Sequence, residues 1–221
     1  MSKDLQSRYE AVQREMVHQF ERTAAIENHW LIYALLGIEH FAACSASHYL
    51  LEIRRVTEPR WIYLALWLFQ ILVAVTTVKV ISGRATIEES PIEPINKRIW
   101  TMFLFLCINI AVVNVVAGQP VFLFMPALAA LSSFAFTFLT SLISRRFMAA
   151  GFTMFLTGVL MARFRHYQFL IYGAGWLIVL ETLGMLLLMK RGYWLGTMGR
   201  ARNCAARISP ERGAGEMKPA A

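Results

Sequence analysis

The first long apolar run of this chain holds residues that hydrocarbon does not readily accept. Between positions 29 and 52 stand His29, Glu39, His40, Cys44, His48 and Glu52, with Tyr33 and Ser47 among them. At about 100° per residue on a helix, His29, Tyr33, His40, Cys44, Ser47 and His48 share one face, while Glu39 falls on the adjacent flank. Imidazole, thiol and carboxylate are the groups that hold metals or move protons, so the run is the first place to look for chemistry. A second carboxylate, Glu181, lies in the last apolar run, and Gln70 and Asn109 add amides to the second and third.

A metal is a weak reading of these residues. Positions four apart on a helix can share one ion, but His40 and His48 are separated by about 12 Å along the axis, so His40, Cys44 and His48 cannot all ligate together. No HExxH or ExxH pattern is present, which counts against a zincin or a di-iron bundle. Haem is weaker still, because the remaining histidines, His18 and His166, lie outside the apolar runs. No cofactor is expected. The bland account of the histidines is hydrogen bonding inside a bundle; for Glu39 and Glu181 it is a neutral carboxyl, favoured by desolvation. The functional account is proton or cation handling at mid-membrane depth, where coupling residues of transporters sit.

The elements that must position them follow from composition. Of 221 residues, 57% are apolar and 16% charged, against about 45 to 50% and 25% for soluble domains. Six apolar runs, at 30–52, 61–81, 99–118, 121–143, 147–162 and 168–189, approach the roughly 20 residues that cross about 30 Å of hydrocarbon. The expected fold is an all-α polytopic membrane protein with six transmembrane helices. The fifth run is short and bracketed by Arg145, Arg146, Arg163 and Arg165, which can reach the interface by snorkelling. Counted from the cytoplasmic ends, Glu181 reaches about 12 Å, Glu39 about 13 Å, His40 about 15 Å, and Gln70 and Asn109 about 16 Å. A midplane polar site of Glu39, His40, Glu181, Asn109 and Gln70 is therefore compatible in depth.

Charge sets the direction of insertion. The net charge of +8 would suggest nucleic acid in a soluble protein. With the N-terminus inside, however, seventeen Lys and Arg fall in inside segments and five outside (Arg54, Arg55, Arg60, Arg163 and Arg165). That split is the positive-inside signature, so nucleic acid drops out as a partner and both termini are expected in the cytoplasm of a cell with the protein in its inner, or plasma, membrane.

Three regions follow. Residues 1–28 repeat Leu5, Tyr9, Val12, Met16 and Phe20 at helical spacing and read as an amphipathic helix. Its polar face mixes signs, which favours docking on a protein surface, its own chain's or a partner's, over lying in the membrane interface. The charged start has no apolar h-region and is not expected to be a cleaved signal. Residues 29–191 form the bundle, with 82–98 as its longest, cytoplasmic, connector. Residues 192–221 read as a basic tail, disordered from about Gly196.

The cysteines Cys44, Cys107 and Cys204 are scattered and suggest no disulfide framework. Small residues, among them Ala150, Gly151 and Gly158 in the fifth run and Gly173, Ala174, Gly175 and Gly184 in the sixth, favour close helix packing. The resemblance of 51–55 to 142–146 does not extend into an inverted repeat. No motif of a known family is identifiable in these residues. The preferred reading is non-enzymatic: small-solute or ion transport, or proton-linked gating, through the midplane site. The rivals are a non-catalytic membrane subunit or sensor docked through its N-terminal helix, and an intramembrane metal-dependent enzyme.

Overall fold

The computed structural model describes residues 7–8, 11–12, 14–15, 18, 28–56, 61–82, 93–118, 121–142, 144–145 and 147–208, with the backbone alone at 82, 93, 121–123 and 142 and from 193. Between 28 and 208 the described residues form six α-helices and no strand: α1 His29–His48, α2 Trp61–Ser82, α3 Glu93–Val116, α4 Val121–Leu142, α5 Phe147–Arg163 and α6 Gln168–Ile208. Five helical stretches are long and apolar enough to cross a membrane, and α5, at 17 residues, is the shorter sixth. Five of the six expected spans are thus met by length and composition, and α5 falls just short of that length.

Local chemistry explains the boundaries. Asn28 precedes α1 with φ of 60°, a left-handed conformation that asparagine tolerates better than most residues. Its side-chain oxygen accepts a hydrogen bond from Arg191, which ties the start of α1 to α6. After His48 the helix widens into a π turn over Tyr49–Ile53, where Arg54 N–H reaches back five residues to the carbonyl of Tyr49 at 3.0 Å. Pro94 stands in the first turn of α3, where its missing N–H costs nothing. Gly118, with φ of 64°, takes the left-handed position just past the end of α3, and its N–H bonds the carbonyl of Val115 at 3.2 Å.

The last helix corrects the expectation of a tail disordered from Gly196. α6 runs for 41 residues to Ile208, about 60 Å and twice a hydrocarbon thickness. The segment after Gly199 is rich in alanine and arginine, both strong helix formers, and this outweighs the glycines that suggested a tail. Residues 209–221 lie outside the described residues. Of the N-terminal amphipathic helix, Ser7, Arg8, Ala11, Val12, Arg14, Glu15 and His18 are helical and Val12 is exposed; Leu5, Tyr9, Met16 and Phe20 lie outside the described residues, as does most of the 82–98 connector.

Packing is uneven. α1 lies along α6, α5 packs against both α4 and α6, α2 lies on α1, and α3 touches α4. The core belongs to α4, α5 and α6, with Met125, Leu128, Phe136, Leu139, Met154, Met161 and Tyr172 all but inaccessible. α2 and α3 are peripheral: of their span windows, 0% and 6% are buried. Their surfaces expose Phe69, Leu72, Phe105 and Val116. Apolar side chains on this scale, turned outward on two neighbouring helices, suit a hydrocarbon surrounding.

Candidate functional site

The approach of α1 to α6 depends on residues without side chains. A Cβ built on Gly173 would stand 2.7 Å from the Cβ of Cys44 and 3.2 Å from the Phe41 ring. One on Gly184 would stand 3.0 Å from the carbonyl oxygen of Trp30, and one on Gly37 would meet Leu177 and Leu180 at 3.4 Å. Cβ atoms do not approach other atoms as closely as 2.7 Å, so Gly173 is what allows α1 this near. The face of α1 carrying Tyr33, Cys44, Ser47 and His48 is thereby turned to the last helix. Cys44 and Ser47 are fully buried, and His48 stacks on Tyr167 with ring centroids 6.0 Å apart.

That approach carries His40 into the cleft between α2 and α6. The imidazole is ringed by Trp67 of α2 at 5.6 Å and by Tyr172 and Trp176 of α6 at 5.3 and 5.5 Å, centroid to centroid. Gln70, one turn beyond Trp67, places its Nε2 at 3.2 Å from His40 Nδ1. An amide nitrogen can only donate, so Nδ1 accepts and the ring proton of neutral His40 sits on Nε2. His40 Nε2 is buried and has no hydrogen-bond partner among the described residues, and the same holds for Trp176 Nε1. Two N–H donors are therefore buried and unsatisfied within one aromatic cluster, an expensive arrangement in a packed interior.

The cluster extends outward. Trp176 contacts Trp100, Phe103 and Phe136 at 6.2, 5.9 and 5.4 Å. Tyr172 Oη lies 3.1 Å from Ser132 Oγ, whose hydroxyl donates to the carbonyl of Leu128 at 2.8 Å. Beside Trp67, a small pocket of about 40 Å³ is lined by Tyr63, Asn114, Phe124 and Phe169 among others. It has room for one or a few waters and is mostly apolar.

The five residues expected to share a site are not all brought together. His40 and Gln70 are. Glu181 lies against Gly37, with its Oε1 3.6 Å from where a Cβ there would stand. Glu39 is two residues on, so it points about 200° around α1 from Gly37. The two carboxylates meet different faces of α1, and the expected single site divides. Glu39 Oε1 is nonetheless buried and without a partner among the described residues. Asn109 is exposed on α3, turned away from the bundle, because Trp100, Phe103 and Cys107 occupy the face that packs on the core.

No group of three His, Cys, Asp or Glu side chains that could hold a metal is found among the described residues. For the three weak candidates the geometry is specific: His40 spends Nδ1 on Gln70, Cys44 is packed against Gly173, and His48 is directed to Tyr167. Near the turn between α5 and α6, His166 Nδ1 lies 3.2 Å from Glu52 Oε2 and joins the end of α1 to the start of α6.

The residues that enclose His40 were not legible beforehand. Trp67, Tyr172 and Trp176 are aromatics in apolar runs, indistinguishable there from any lipid-facing ring. The one available signal is spacing: Trp67 precedes Gln70 by three and Tyr172 precedes Trp176 by four, so each pair shares a helix face. Comparison of the chain with protein-family models, with curated proteins and with solved structures finds no match.

Proposed function

We propose that this is a multi-pass protein of the inner, or plasma, membrane, with both termini cytoplasmic, in which the His40–Gln70 pair acts as a proton-linked gate controlling passage of a small solute or ion. The observation that carries the reading is the state of His40: an ionisable ring enclosed by Trp67, Tyr172 and Trp176, committed through one nitrogen and unsatisfied at the other. Nδ1 accepts from Gln70 only while it is unprotonated. Once it carries a proton, both groups present donors, and the bond survives only if the amide turns to offer Oε1. Protonation thus breaks or reverses the link between α1 and α2. The surrounding rings lie within about 6 Å of the imidazole, a distance at which aromatic rings attract a cation, so the charged form has an alternative set of contacts. Two arrangements exchanged by one proton make a switch.

The rings that surround His40 also report on it. In the purified protein held in lipid nanodiscs, tryptophan emission should change as the pH is lowered from about 8 to about 3, because Trp67 and Trp176 contact the ring that takes up the proton. His40→Gln should remove that component while leaving the helical content unchanged. An emission profile with the same pH dependence in the parent and in His40→Gln would refute the gate.

The orientation rests on the seventeen-to-five division of Lys and Arg between inside and outside segments. Single cysteines replacing Thr57 and Glu89 should behave oppositely toward an impermeant thiol reagent added to intact cells, with the first labelled and the second protected. Labelling at Glu89 would invert the topology.

A further inference from the structure

The outward face of α3 has a regular pattern with one exception in its middle. Met102, Phe105, Asn109, Val112 and Val116 recur at spacings of three, four, three and four, and all are exposed. Leu106 and Val113, also exposed, flank the same stripe. A three-four alternation is the seam of a left-handed helix pair, and Asn109 occupies the position where a single asparagine fixes register. The amide has no hydrogen bond to any described residue and faces away from the bundle. In a hydrocarbon surrounding it would have no partner at all, which costs far more than leaving an amide in water.

We propose that α3 is the interface of a parallel, two-fold symmetric dimer of this chain, held in register by hydrogen bonds between the Asn109 side chains of the two copies. The occupant is identified by depth and by chemistry. Two copies inserted in the same direction place Asn109 at one depth automatically, whereas any other partner would need a polar group matched to that level. The carboxamide is both donor and acceptor, so each copy can give one hydrogen bond and take one. The near-absence of buried residues on α3 leaves the seam open to a second helix at the roughly 20° crossing common in membrane bundles. This inference needs the chain to span a bilayer but does not need the gate at His40.

The test is association of the full chain in phosphatidylcholine vesicles, read as energy transfer between copies labelled at the N-terminus and followed as lipid dilutes the protein. The parent should dimerise, Asn109→Leu should weaken the dimer roughly three- to thirtyfold, and Asn109→Gln should retain it. Phe105→Ala on the same seam should weaken it, and Leu72→Ala on the exposed face of α2 should not. Helical content and elution volume in detergent establish that each variant is folded, which is expected for changes on an outward face. A parent that stays monomeric at every dilution, or a dimer indifferent to Asn109→Leu, overturns the proposal. Equal loss in Asn109→Gln and Asn109→Leu overturns the hydrogen-bond assignment, because it would mean that shape and not the amide holds the pair.

Discussion

Gly175→Ala should destabilise the bundle by about 1 to 3 kcal/mol, the usual range for forcing one methyl group into a filled core, and Thr157→Ala in the same chain should restore most of the loss. A Cβ on Gly175 would stand 2.5 Å from Thr157 Oγ1, 2.9 Å from its Cγ2 and 3.3 Å from its Cβ. Thr157 is buried in α5, and its hydroxyl donates to the carbonyl of Thr153 at 2.8 Å. A β-branched side chain has few rotamers within a helix, so it cannot swing clear of the new methyl. Truncation to alanine removes the two nearest atoms and leaves only the 3.3 Å approach, which a shift of a few tenths of an ångström relieves. Thr157→Ala alone should be mild, since its hydroxyl serves a carbonyl already bonded within the helix. Unfolding of the four proteins by graded addition of SDS to mixed micelles gives the cycle. If the double variant is as unstable as Gly175→Ala alone, Thr157 is not what excludes the methyl.

Gly173→Ala tests the other contact of α6, and its rescue should follow a different rule. Here the obstructing atom is the Cβ of Cys44 itself, at 2.7 Å, with Cys44 Sγ at 3.3 Å and Phe41 at 3.2 Å. Cys44→Ala keeps that Cβ and should rescue little. Cys44→Gly removes it and should recover part of the loss, less the roughly 1 kcal/mol that glycine costs within a helix. The Gly173→Ala loss itself should be about 2 to 3 kcal/mol, at the upper end of overpacking effects, because backbones and not side-chain tips must separate. Moving α1 away from α6 also draws His40 from between Tyr172 and Trp176. The tryptophan emission of Gly173→Ala should therefore shift even at constant pH, whereas Gly175→Ala, which acts between α5 and α6, should leave that emission closer to the parent. Equal rescue by Cys44→Ala and Cys44→Gly would place the obstruction at the sulfur and not at the Cβ.

These two glycines show which part of the molecule could be read from residue order. The apolar runs and their punctuation determined that the chain is a set of helices long enough to cross a membrane, since length and hydrophobicity are properties of a segment on its own. The small residues of the fifth and sixth runs pointed to close packing for the same reason: a missing side chain removes an obstacle wherever the helix lies. The face shared by Tyr33, Cys44, Ser47 and His48 was also legible, because helical rotation is fixed by spacing alone.

What spacing does not contain is which neighbour each face meets. Glu39 and Glu181 reach similar depths, yet Gly37 presents itself to Glu181 and turns Glu39 to the far side of α1. Asn109 and Gln70 were equivalent amides in the sequence, but α2 turns Gln70 inward to His40, while α3 spends its inner face on Trp100 and Phe103 and leaves Asn109 outside. The aromatic enclosure of His40 draws Trp67 from α2 and Tyr172 and Trp176 from α6. No local pattern couples residues more than a hundred positions apart. Sequence alone determined the helices, their small-residue contact faces and the polar groups they carry; the tertiary structure decided which of those groups meet, because the rotation of each helix is set by the best fit of all its neighbours at once.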